Sequence, residues 1–171
     1  MEFMTLIEER HSTRAYQDTA VEQDKLAKIL QAANRAPSAG DLQAYSIIVV
    51  RRPDVCQALA KAAVDQQFVA QAPVVLVFLA EPARSGVKYG RRGENLYAIQ
   101  DATIACAYAQ LAAHDLGLAA CWVGAFRTRD VREAVGAAED QVPVALLPIG
   151  YAAETPFVTP RRELSELVRE V

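Results

Sequence analysis

Cysteine is scarce in this chain: Cys56, Cys106 and Cys121 are an odd count with no CxxC pair. That pattern offers neither a disulfide framework nor a zinc site. Histidine is scarcer still, with only His11 and His114, so no metal centre is expected. There is no basic excess either, since 18 Lys and Arg stand against 21 Asp and Glu for a net charge of −3. The overall field therefore does not favour nucleic acid or an anionic membrane. Long apolar runs are also lacking. The most apolar stretch, Ala102 to Ala113, is interrupted by Gln110 and is too short to span a bilayer. Met1-Glu2-Phe3-Met4 is not a basic stretch followed by an apolar run, so no secretory signal is expected and the cytoplasm is the expected address. Several motifs are missing too. Gly86, Gly90 and Gly93 have the wrong spacing for GxGxxG, and there is no Walker A lysine, HExxH or GxSxG. A Rossmann-bound dinucleotide, a P-loop, a zinc protease and a serine hydrolase all lack support.

What is present describes an ordinary globular chain. With 171 residues, 52% hydrophobic and 23% charged, it fits one domain over residues 1–171 with a single core. Phe3, Leu6 and Ile7 predict a short helix ending near Arg10. Leu26, Ile29, Leu30 and Ala33 predict a second, with Thr19 and Glu22 as its capping box and Pro37 beyond its end. Tyr45 to Val50 and Pro73 to Ala80 read as strands, with a helix over Pro53 to Ala63 between them. Arg84 to Gly93, with three glycines and four cations, reads as a long polar loop and a candidate lid. Asn95 to Asp115 is the longest predicted helix. Its apolar middle predicts burial on all sides, met most easily if part of it faces a second subunit. Leu118 to Gly124 and Val142 to Gly150 read as two further strands around a helix carrying Val131 and Val135. Leu164 to Val171 reads as a closing helix or arm. Four strands interleaved with helices predict a sheet covered on both faces.

The chemistry-bearing cluster is Arg10-His11-Ser12-Thr13-Arg14. Two guanidiniums and two hydroxyls in five residues can grip a phosphate by charge-assisted hydrogen bonds. Alone, the cluster reads more readily as a solvated basic turn after a helix. It is followed, in order, by Ala36-Pro37-Ser38-Ala39-Gly40-Asp41-Leu42-Gln43, by Ala72-Pro73-Val74-Val75-Leu76-Val77-Phe78, and by Gln100-Asp101-Ala102. Then come Gly117 to Phe126 with Cys121-Trp122-Val123-Gly124, and finally Pro148-Ile149-Gly150-Tyr151 and Pro160-Arg161-Arg162. This succession covers nearly the whole chain and closely resembles the nitroreductase family of flavoproteins.

The resemblance implies an α+β fold, with a mixed, mainly antiparallel central sheet between helical layers, in an obligate homodimer binding FMN. It places Arg10 and Ser12 on the FMN phosphate with His11 behind them, and Arg14 near the pyrimidine end of the ring. A fixed cation there favours the negative charge that the ring gains on reduction. Arg161 or Arg162 closes on the phosphate. Pro37, Ser38, Ala39 and Gln43 lie on a loop that reaches the partner subunit's flavin. Trp122, Val123 and Gly124 lie along the ring, the amides of the last two addressing it. Two departures stand out: Asp41 occupies a position where asparagine is usual, and Ala44-Tyr45 replaces a common Pro-Trp. The implied activity is ping-pong reduction of small aromatic acceptors, nitroaromatics or quinones, by NADH or NADPH. No side chain need act as obligatory acid or base, because the cofactor carries the chemistry. A dehalogenating or biosynthetic relative and a non-catalytic flavin carrier are the competing readings.

Overall fold

The computed structural model describes residues 2–171. Its centre is a four-stranded sheet in the order β1-β2-β4-β3, built from Tyr45–Val50 (β1), Val74–Ala80 (β2), Ala119–Ala120 (β3) and Val142–Gly150 (β4). Every strand pairing is antiparallel. The parallel contact is a single bridge between Ser12 and Ala120. β2 is buried at all seven positions, which explains its unbroken apolar sequence: a strand covered on both faces has no polar side to show. Its alternate residues separate into two cores. Val74, Leu76 and Phe78 point toward helices Gln23–Asn34 (α2) and Ala98–Asp115 (α6). Val75, Val77 and Leu79 point toward Pro53–Ala62 (α3), Phe68–Gln71 (α4) and Thr128–Val135 (α7). β4 carries two prolines, and Pro143 sits where the β2–β4 register slips at Phe78/Leu79. A proline costs least at such an irregularity, where the ladder is already broken.

Three sequence expectations change here, and two are narrowed. Arg84 to Gly93 is not a loop but most of a helix, Pro82–Arg92 (α5), running into a π-helical turn, Gly93–Tyr97, that feeds α6. Its glycines serve packing. A Cβ on Gly93 would come within 2.5 Å of the Ser85 carbonyl oxygen, and one on Gly86 within 2.7 Å of the Glu94 side chain. Only Gly90, at φ 55°, breaks the helical backbone. The strand expected over Leu118 to Gly124 shrinks to Ala119–Ala120 and an isolated bridge from Val123 to Leu146. The Thr19–Glu22 capping box does not form; Glu22 is itself the N-cap and makes no side-chain cap bond. Its carboxylate accepts the Tyr151 hydroxyl at 2.7 Å instead. The closing helix is only Leu164–Leu167 (α8), on an exposed arm. Finally, α6 is not buried all round within one chain: Tyr108 is 41% exposed and Ile99 38%.

Candidate functional site

The first helix, Phe3–Glu9 (α1), ends with the Arg10 N–H on the Leu6 carbonyl. From there the chain runs extended along the free side of β3. Ser12 bridges Ala120, and the Thr13 N–H donates to the Ala120 carbonyl at 3.3 Å. Tyr16 anchors the segment from inside, donating to the Thr13 carbonyl at 2.8 Å with the Pro148 carbonyl 3.2 Å away. Burial pushes this phenol far above its ordinary range, so it stays a neutral donor. The chain after β4 returns beside the same segment: the Gln17 N–H donates to the Tyr151 carbonyl and the Ala153 N–H to the Ala15 carbonyl, both at 2.9 Å. The two ends of the sequence therefore meet along one edge of the sheet.

That meeting creates a cavity of about 350 Å³ whose lining includes Arg10, His11, Ser12, Arg14, Glu154 and Arg161. Three guanidiniums against one carboxylate leave the cavity with an excess of positive charge. A phosphate monoester dianion carries the matching charge, and arginine presents the planar fork that suits its oxygens. The Glu154 carboxylate accepts the Arg14 backbone N–H. Arg162 lies outside the lining; it donates to the Glu166 carboxylate at 2.9 Å on the exposed arm. The doublet Arg161-Arg162 thus divides, one residue facing the cavity and the other bracing α8.

Arg14 also faces the strand end after β3. Burial pushes the Cys121 thiol up, while Arg14 and a hydrogen bond with Ser12 pull it the other way. Cys121 itself is 1% exposed and belongs to the core. Ser12 bridges Ala120 in parallel, and Trp122 to Gly124 follow just past that strand's end. Arg10 and Arg14 share the cavity lining, and Gly124 lies outside that lining, past the strand end that Arg14 faces. Of the two amides expected to address the ring, that of Gly124 is free and that of Val123 is engaged. The Val123 N–H donates to the Leu146 carbonyl at 2.9 Å and accepts no second role. Gly124 and Ala125 are exposed, and their N–H groups make no hydrogen bond among the described residues. The Gln66 side chain reaches the Ala125 carbonyl at 3.3 Å, beside these free amides. Trp122 packs partly against the α2/α6 core, and its indole lies against Gly124.

Pro37, Ser38 and Ala39 are elsewhere. They border an open groove of about 430 Å³ with Tyr97, Gln100, Asp101, Thr103 and Ile104. This groove shares no lining residue with the arginine cavity. Gln43 turns away from it, its amide donating to the Asn34 backbone and side-chain oxygens at 3.0 Å. Asp41 has an explanation in backbone geometry. It sits at φ 56°, a conformation that glycine, asparagine and aspartate tolerate best, so Asp for Asn keeps the turn. Glu154 and the Ala125 amide are the site residues that sequence reasoning missed, whereas the Gly124 amide was expected. Only the Gly-Ala pair carried a signal, as a small-residue stretch past a strand end. Among the described residues no cluster of His, Cys, Asp and Glu could hold a metal ion, and no helix is long and apolar enough to cross a membrane.

Comparison with known proteins agrees with this geometry. The family model described as the nitroreductase family matches residues 7–69 and 57–151. The chain is 33% identical to a protein named NADH dehydrogenase of Thermus thermophilus, over 93% of this chain and 91% of that one. It is 28% identical to a Bacillus subtilis protein named FMN reductase [NAD(P)H], over 94% of this chain and 70% of that one. Among solved structures, an FMN-dependent nitroreductase from Clostridium difficile superposes with a TM-score of 0.80 at 29% identity, covering 92% of this chain and 91% of that one. The chain belongs to the nitroreductase family.

Proposed function

We propose that the protein is an FMN-dependent oxidoreductase that uses NADH or NADPH to reduce small aromatic acceptors, nitroaromatics or quinones, in a ping-pong cycle. The observation that carries the reading is the cavity in which Arg10, Arg14 and Arg161 converge from opposite ends of the sequence. When bound, FMN supplies the hydride chemistry. The chain binds and orients. Arg10, Ser12 and Arg161 hold the phosphate, with His11 behind them. Arg14 sets a positive charge beside the pyrimidine edge, where it stabilises the reduced ring. The amides of Gly124 and Ala125 donate to the ring edge, and Trp122 lies along it. None of these groups has to give or take a proton, since the open site admits solvent.

The Pro37–Ala39 groove belongs to the same reading through a second copy. The groove and the arginine cavity are separate in one chain, so a homodimer lets the loop of one subunit cover the flavin of the other. The uncovered apolar side chains of the arm and of α1 favour this arrangement: Phe157 is 86% exposed, Leu164 74% and Phe3 62%. Large apolar side chains left uncovered on these two elements suit a contact with a second copy. A cytoplasmic setting suits three free, buried cysteines.

The test begins with the molecule released by the denatured protein, identified by mass spectrometry as FMN. The holoprotein is then exposed anaerobically to NADH or NADPH. Bleaching of the yellow colour, followed by recovery on adding a quinone or nitroaromatic, is the expected result. A flavin that NAD(P)H does not bleach indicates a carrier. Bleaching without reduction of any such acceptor indicates a specialised relative.

A further inference from the structure

Asp101 borders the groove but has no role assigned above, and it is almost fully enclosed, 1% exposed. No ion pair to it is formed among the described residues. A buried carboxylate without a counter-charge is costly and persists where backbone donors satisfy it. Here the donors come from both ends of one loop. Oδ1 accepts the Ala39 N–H at 2.9 Å, and Oδ2 accepts the Ala44 N–H at 3.2 Å. Between those two amides the backbone is strained. Gly40, Asp41 and Gln43 have φ of 59°, 56° and 46°, and left-handed geometry at residues other than glycine has to be held by its surroundings. Ser38 adds an internal tie, its hydroxyl accepting the Gln43 N–H at 3.0 Å. From outside, Arg84 donates to the Leu42 carbonyl, and Tyr89 and Lys88 of α5 lie so close over Gly40 that a Cβ there would meet them at 2.4 and 2.5 Å. Asp101 grips the loop where it enters and where it leaves.

We propose that Asp101 is a positioning residue whose carboxylate, by gripping the Ala39 and Ala44 amides, holds the Pro37–Gln43 loop in the left-handed shape that presents Pro37, Ser38 and Ala39 to the flavin. This rests on the functional reading above and adds the device that fixes the covering loop. A carboxylate is required because both of its oxygens must accept. Asparagine keeps the size but turns an NH₂ toward one of the two amides, donor against donor.

The test compares FMN and riboflavin binding to the full-length protein, by fluorescence quenching, at a temperature where far-UV circular dichroism shows each variant folded. The loop acts on the ring and not on the phosphate, so Asp101→Asn is expected to weaken FMN and riboflavin by the same factor, at least tenfold. The visible circular dichroism of the bound flavin changes with it. A variant on the loop checks the same claim with Asp101 intact. Asp41 is exposed, and a β-branched residue does not settle at its φ. Asp41→Val is therefore expected to reproduce the tenfold loss, whereas Asp41→Gly stays within twofold of wild type. A folded Asp101→Asn protein with unchanged affinity for both ligands would overturn the proposal, as would a loss confined to FMN. If Asp101→Asn does not fold, Asp41→Val decides: unchanged affinity overturns the proposal and the matched loss supports it. A wild-type protein that binds neither flavin overturns the functional reading, and this inference with it.

Discussion

Arg10 is the residue on which the phosphate assignment turns. Arg10→Ala is expected to weaken FMN binding by about 1.5–3 kcal/mol, the range for a hydrogen bond to a charged group, and to leave riboflavin unaffected. Titration of both ligands checks it, and equal losses would remove Arg10 from the phosphate. His114 gives a pH prediction. Its Nε2 is buried without a partner among the described residues, and burial holds the imidazole below its ordinary value of 6.5. The unfolded chain therefore takes up this proton first. In the window below pH 6.5, down to the lowered folded value, the unfolded state binds more protons, so stability rises with pH and falls on acidification. His114→Gln should flatten this part of the pH dependence in denaturant melts, and an unchanged slope would assign it to other groups. The three cysteines, each 2% exposed or less, are raised by burial and should resist thiol reagents until the protein unfolds.

At the scale of elements, legibility followed burial. β1, β2 and β4 could be located from their apolar runs, because a strand enclosed on both faces leaves a continuous signature. Trp122 to Gly124 was misjudged as strand because composition does not report where a chain leaves its partner; beyond Ala120 the segment keeps a Cys121–Pro148 hydrogen bond and the Val123–Leu146 bridge but no continuous ladder to β4. The α5 segment misled for a different reason. Gly86 and Gly93 resemble loop residues in a one-dimensional reading, yet they are small so that Ser85 and Glu94 can pack against them. Gly93→Ala should therefore cost about 1–3 kcal/mol, the range for overpacking a tight contact, measured as a shift in the denaturant midpoint. A flexible loop would absorb the methyl at no cost. In the site, the Arg10–Arg14 cluster was legible because it is local. The Gly124 amide was named from the resemblance, but that the Val123 N–H is engaged and the Ala125 N–H free was not legible, since it depends on the Val123–Leu146 pairing. Asp101 stood in the sequence as an acid entering an apolar helix, but its role depends on a loop some sixty positions earlier.

At the scale of the whole molecule, the features left incomplete by one chain belong together. The arm presents Phe157 and Leu164, the outer side of α6 presents Tyr108, and α1 presents Phe3. The cavity has charge but no cover, while the groove has a shaped loop but no phosphate grip. The proposed twofold pair would resolve all of these at once, with each copy supplying what the other lacks. Ending the chain before Phe157 removes Arg161 and the exposed arm together, so it should lower both FMN retention and the dimer fraction in sedimentation velocity. A dimer that keeps its FMN after that truncation would relieve the arm of both roles.

The shared site is tested most directly by complementation. Arg10→Ala disables the phosphate side, and Ala39→Trp fills the groove side. The two chains, co-expressed with different affinity tags and purified through both, form heterodimers. In these, one site receives Arg10 from one chain and an intact loop from the other, while the second site carries both defects. Each homodimer should be colourless, and the heterodimer should hold about half the wild-type FMN. Heterodimers as empty as either parent would mean that cavity and loop serve the same subunit, contradicting the two-chain site.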